Sequence, residues 1–180
     1  MSAETIGQRY ARAVFDLGIE TSTLPALVED IHKLARVYEE SIELQKVMSN
    51  PLVSEEQRLA TIGEIGDRLG LSPLGRNVAG LLARRKRLFA LRAIASELDR
   101  LSDEKAGIAR ATVISAERLT EAYEQRLIQE LSAMTGKKIV LDRQQDPDLL
   151  AGLAVRIGDQ LIDGSAKARL TELASQLLSA

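Results

Sequence analysis

Near Gly107 the spacing of apolar residues changes, and this change limits the possible folds more than any single motif does. Before it, apolar side chains recur every three or four positions. After it, Ile108 to Ala116 is rich in Ala, Val, Ile and Thr, the composition of a strand. Helices and strands turn their side chains inward on different periods, so the two halves call for separate layers. The sequence therefore predicts an α+β chain with an all-α bundle of about six helices over residues 1–106 and a small mixed α/β domain over 107–180. The stretch from Lys105 to Ile108 is the expected hinge.

In the helical half, a first helix is expected over roughly Ser2 to Ile19. A second runs from about Leu24 to Glu40, with Leu27, Ile31, Leu34 and Tyr38 on one face. A short third ends before Asn50-Pro51, because the residue preceding a proline avoids helical backbone. Ser54 to Gln57 reads as a capping box opening a helix with Leu59, Ile62, Ile65 and Leu69 inward and Gly70 as its stop. Ser72 and Pro73 cap and start the fifth helix. The sixth carries Leu88, Leu91, Ile94, Leu98 and Leu101 and ends near Lys105-Ala106-Gly107.

In the second half, Thr120 caps a helix bearing Tyr123, Leu127, Leu131 and Met134, and Gly136 ends it. Ile139 to Leu141 is a strand, and Asp146-Pro147 starts a single helical turn. Leu153, Val155 and Ile157 alternate, Gly158-Asp159 supplies a two-residue hairpin loop, and Gln160 to Ile162 returns. Asp163-Gly164-Ser165 then stops the strand, and Ser165 caps a last helix with Leu170, Leu173, Ala174 and Leu177 on its stripe.

Composition excludes several kinds of chemistry. The absence of cysteine rules out disulfides, thiolate catalysis and cysteine-ligated zinc, and the single histidine, His32, leaves no multi-histidine metal site. No cofactor and no metal are expected. No apolar run approaches the roughly 20 residues needed to cross a bilayer. A net charge of −2 gives no overall attraction to nucleic acid or anionic lipid. The basic run Arg84-Arg85-Lys86-Arg87 would suit a nucleic-acid-binding adaptor, but cations at a helix C-terminus also complement its dipole and are usually solvated. With 3% aromatic residues there is little on which bases could stack. Thr135-Gly136-Lys137-Lys138 lacks the upstream glycine of a phosphate loop, since position 131 is Leu131. His32 has Asp30 nearby but no nucleophile, so a surface or packing role is expected and no catalytic residue is assigned. Asp146, Asp148, Asp159 and Asp163 fall in expected turns without the spacing of a calcium loop.

Two helices carry more apolar surface than one neighbour would cover. On the first, Ile6, Tyr10, Ala11, Ala13, Val14, Phe15, Leu17 and Gly18 span roughly half the circumference, against the stripe of about 100° that an edge helix needs. On the fifth, Leu74, Val78, Leu81 and Leu82 lie beside Gly75, Ala79, Gly80 and Ala83, small residues that permit close approach. Either these helices are central and buried on both flanks, or together they form a trough for an amphipathic helix.

The corner from Asp146 to Leu170, the run R-Y-A-R-A-V-F at Arg9 to Phe15, and S-A-E-R-L-T at Ser115 to Thr120 carry a resemblance over essentially the whole chain. Their order and spacing are similar to the delta subunit of F-type ATP synthases, the oligomycin-sensitivity-conferring protein family. The resemblance implies a non-catalytic subunit of the peripheral stalk, or stator, that ties the catalytic head to the membrane sector of a proton-translocating enzyme against rotary torque. It implies that the first and fifth helices bind the N-terminal helix of an alpha subunit through Ile6, Tyr10, Ala13, Val14, Leu17, Leu74, Val78, Leu81 and Leu82, and that the second domain binds the distal end of the b-type stalk. Asp163, Gly164, Ser165 and Arg169 match recurring family positions and read as structural, a cap and an ion pair. Relatives usually carry Gly-Arg where this chain has Lys86-Arg87, which draws attention to the turn there. The sequence enters its first helix with no transit segment, and the expected location is the cytoplasmic face of a bacterial inner membrane, with a processed organellar form left open.

Overall fold

The computed structural model describes residues 2–115, 119–145, 153–157 and 160–163. The chain divides into two compact units, Met1–Ser102 and Asp103–Ala180.

The first unit contains α1 (Ala3–Glu20), α2 (Leu24–Glu40), α3 (Ile42–Ser49), α4 (Glu55–Arg68), α5 (Pro73–Arg84), a 3-10 turn at Leu88–Ala90, and most of α6 (Leu91–Lys105). Short polar residues set the starts. Ser2, Ser41, Ser54 and Ser72 each accept a hydrogen bond from a first-turn amide, and Ser54 with Gln57 forms the reciprocal capping box. Their apolar faces meet in one core, in which Ile6, Leu27, Ile31, Leu34, Leu82, Leu91, Ile94 and Leu98 are buried. At about 25 cal/mol per Å² of apolar surface removed from water, such a cluster is the main stabilising term of the unit.

One expectation is corrected in this unit. Leu88 does not open the sixth helix but sits in the separate 3-10 turn, because the chain reverses at Lys86, whose φ of 53° lies in the left-handed region. There Lys86 N donates to Ala83 O at 3.1 Å and Arg87 N to Leu82 O at 2.8 Å, the paired bonds that close a helix C-terminus.

The second unit is a four-stranded sheet in the order β2-β1-β3-β4, with α7 against it. Its elements are β1 (Ile108–Ser115), α7 (Glu121–Thr135), β2 (Lys138–Gln145), β3 (Leu153–Ile157) and β4 (Gln160–Asp163). β1 and β2 run parallel and are joined through α7, whereas β3 pairs antiparallel with both β1 and β4. Ala111, Val113 and Ser115 alternate inward on β1, and the apolar members of that face pack with Leu131, Ile139 and Val155. The second strand is longer than expected, and Ile157 faces Gln160 across the β3–β4 pair as the alternation implied. Two residues expected on the inner stripe of α7 are open, Tyr123 at 49% and Met134 at 73% exposure. Arg143 reaches from β2 to Glu124 on α7 with two bonds of 2.6 Å and holds that carboxyl below the usual glutamate range. Arg110 on β1 likewise grips Asp103, which ties the last turn of α6 to the sheet. The expected turn at Asp146-Pro147, the Gly158-Asp159 loop, and Gly164, Ser165, Arg169 and the last helix lie outside the described residues; Asp163 is the final residue of β4.

Candidate partner-docking site

The nine residues expected to form a trough divide sharply by burial. Ile6, Val14, Val78 and Leu82 belong to the core, at 6% exposure or less. Tyr10, Leu17 and Leu74 are half-buried, while Ala13 and Leu81 are exposed, Leu81 at 45%. The surface left open is thus narrower than the sequence reading implied. The cause is rotation: half a helix of apolar residues is more than solvent receives, and α1 turns its Ile6–Val14 side inward. At about 100° per residue, Tyr10, Ala13 and Leu17 fall within roughly 60° of one another, and Leu74 and Leu81 within about 20°. Each helix therefore presents one apolar strip beside its buried face.

Two elements touch both of these helices. α2 packs against both α1 and α5, and so does the 3-10 turn at Leu88–Ala90. That turn adds a residue the sequence reading missed. Leu88 and Ala90 are buried, but Phe89 between them is 48% exposed. The sequence reading counted Leu88 in the sixth helix and gave Phe89 no role. The available signal was Lys86, a side-chain-bearing residue where a helix stop favours glycine.

The electrostatics around the strip are uneven. Arg84 pairs with Glu55 at 3.0 Å, and the Arg87 guanidinium lies 6.0 Å from the centre of the Phe89 ring, at the limit of a cation–π contact. Among the described residues Arg85, Lys86 and Arg87 make no ion pair. On α6, the hydrogen bond from Arg100 lowers the Glu97 carboxyl below its ordinary range, and the positive charge of Arg12 on α1 acts in the same direction.

The family model for the ATP synthase delta (OSCP) subunit matches residues 6–177. The chain belongs to this family. Among its delta-family relatives, the ATP synthase subunit delta of Paracoccus denitrificans is 36% identical over 173 residues, covering 96% of this chain and 92% of that protein. That of Syntrophobacter fumaroxidans is 37% identical over 165 residues, covering 92% and 90%. In fold, the chain is similar to one from the cryo-EM structure of the Toxoplasma gondii mitochondrial ATP synthase hexamer, with a TM-score of 0.70, 24% identity, and coverage of 96% of this chain and 97% of that one.

Delta-family membership does not favour the nucleic-acid adaptor, and neither does the packing, since Arg84 is engaged by Glu55 and Arg87 faces Phe89. The lysines after Thr135 are not part of a phosphate cradle. Gly136 ends α7 in left-handed backbone with its N–H on Ser132 O, and Lys138 N donates to Gly107 O as the chain enters β2. His32 is exposed and bonded through Nε2 to Asp99 Oδ1 at 2.9 Å, a surface link between α2 and α6. Among the described residues no cluster of His, Asp and Glu is arranged to hold a metal ion, and no helix is long and apolar enough to cross a membrane.

Proposed function

We propose that this chain is the stator tie of an F-type ATP synthase, a non-catalytic subunit whose first unit holds the N-terminal helix of an alpha subunit and whose second unit meets the distal end of the b-type stalk. Rotary catalysis requires the head to stand still while the shaft turns, so the tie needs a slow dissociation rate and no chemistry of its own. The observation that supports the alpha-subunit assignment is Leu81, a large apolar side chain left open on a helix whose adjoining Val78 and Leu82 are in the core. With Tyr10, Ala13, Leu17 and Leu74 it forms the lining of a helix-in-groove site. Burying each large side chain contributes on the order of 1.5–3 kcal/mol, and a few of them suffice for tight, slow binding. The b-type assignment is supported by family membership alone. The same reading puts the chain on the cytoplasmic face of a bacterial membrane, as a peripheral part of the complex.

The test is titration of the full chain with a peptide of the alpha-subunit N-terminal helix. Leu81→Asp is expected to weaken binding by about tenfold or more, because a carboxylate cannot be buried unpaired in that strip. Unchanged affinity would overturn the site.

A further inference from the structure

Resting on that docking reading, we infer that Phe89 is the aromatic anchor of the trough and that Arg85, Lys86 and Arg87 select an amphipathic helix with acidic residues beside its apolar stripe. Phe89 has the features of an anchor. Its ring is half-exposed, yet its backbone is fixed by Leu88 and Ala90 in the core and by the hydrogen bond from Ala90 N to Arg87 O at 3.0 Å. A rigidly mounted aromatic loses little conformational freedom on binding, and aromatic residues dominate the energetic centres of interfaces. The turn that carries it is packed against both α1 and α5, the two helices that bear the strips.

The charge of the occupant follows from what surrounds that ring. Arg85, Lys86 and Arg87 follow Leu81 on the chain and make no ion pair among the described residues, in a protein whose net charge is −2. Lys86 also holds a backbone conformation that glycine would adopt without strain, so its side chain is present at a conformational cost. A local excess of positive charge beside an apolar strip is complementary to carboxylates on the edge of a helix lying in that strip. A nucleic acid would meet the same cations, but Leu81 and Phe89 offer apolar burial that suits a helix better.

The experiment uses the full chain and two peptides, the alpha-subunit N-terminal helix and the same peptide with every Asp and Glu changed to Asn and Gln. Phe89→Ala is expected to weaken the natural peptide by about tenfold or more while leaving the helical circular dichroism unchanged. Lys86→Gly is expected to weaken it by roughly threefold to tenfold and to flatten its salt dependence, and the amide peptide should bind both forms alike. Phe89→Ala binding as the unmodified chain does, or equal affinity for both peptides, would overturn the inference. If Leu81→Asp still abolishes binding in that case, the trough survives and only its anchor and charge rule are lost. No peptide binding by the unmodified chain would overturn the docking reading and this inference with it, as would preferential binding of a single-stranded oligonucleotide.

Discussion

The two ends of α5 are built in opposite ways. At its start, Ser72 Oγ accepts from Gly75 N at 3.0 Å and donates to Asp30 Oδ2 at 2.6 Å, and the same carboxylate oxygen takes Ser72 N at 3.0 Å. Asp30 is 5% exposed, and α5 begins so close to it that a Cβ on Gly75 would stand 2.2 Å from its oxygen. Serine and carboxylate are bonded to each other there, and a side chain on Gly75 would find no room. At the other end Leu81 and Phe89 face water, three cations lack counter-charges among the described residues, and a lysine occupies left-handed backbone. Each of those choices lowers the stability of the isolated chain. Their concentration at one helix end marks a surface completed by something else, whereas the tight end only has to hold the helix in place.

The strongest way to break this comparison is to crowd the tight end. Gly75→Val should destabilise the first unit by about 3 kcal/mol or more, since the added side chain meets Asp30 at less than contact distance and cannot relax without separating α2 from α5. A thermal unfolding midpoint like that of the unmodified chain would mean that Asp30 moves aside freely and the fit is loose. Asp30→Ala should cost about 2 kcal/mol, because two hydrogen bonds to a charged acceptor disappear and the start of α5 loses a favourable negative charge. The measurement is a shift of the urea midpoint at constant slope. Gly75→Ala in the Asp30→Ala background should cost less than in the parent, the coupling expected of two groups in contact.

The open end predicts the reverse sign. Lys86→Gly should raise stability by about 0.5–1 kcal/mol, relief of the left-handed strain partly offset by the greater freedom of glycine in the unfolded chain. Loss of stability would show that the Lys86 side chain is held by folded contacts, and the contrast between the two ends would weaken.

Most of the tight architecture was legible in the sequence, and most of the open end was not. Ser54, Ser72, Thr120, Gly70 and Gly136 announced helix limits because capping is local chemistry that a few residues determine. The β1 strand followed from its Ala-, Val-, Ile- and Thr-rich composition, and β3 and the core of the bundle from period. Burial of particular polar groups did not. Asp30 and Arg58 sit among other charged helix positions, yet Asp30 caps a distant helix and Arg58 is buried with its guanidinium on the Val53 carbonyl. Those roles depend on which helices come together, which periodicity does not encode. For the trough residues the gap ran the other way. An apolar arc of half a helix shows that something covers it but not which side meets the core, so Ile6, Val14, Val78 and Leu82 were grouped with Leu81, although the fold places them inside. Phe89 was missed because Leu88 was read as part of the sixth helix, whereas Leu88–Ala90 form a separate 3-10 turn.

The smallest expected effect sharpens the comparison most, because it uses the same backbone geometry away from the basic run. Ser22 ends α1 with a φ of 55°, and its N–H donates to Ile19 O at 3.1 Å while Thr23 N donates to Gly18 O at 2.9 Å, the pattern seen at Lys86. Ser22→Gly should therefore raise stability by about 0.5 kcal/mol, at or below the gain from Lys86→Gly, since a serine tolerates this conformation only a little better than a lysine does. Peptide binding separates the two positions. Ser22 adds no charge to the strip, so its replacement should leave affinity and salt dependence as they were, whereas Lys86→Gly trades affinity for stability. If both variants gain stability and neither changes binding, the lysine is merely a poor helix stop and the open end of α5 owes nothing to its charge. If only the Lys86 variant loses affinity, the strain at that residue is tied to the partner it helps to recognise.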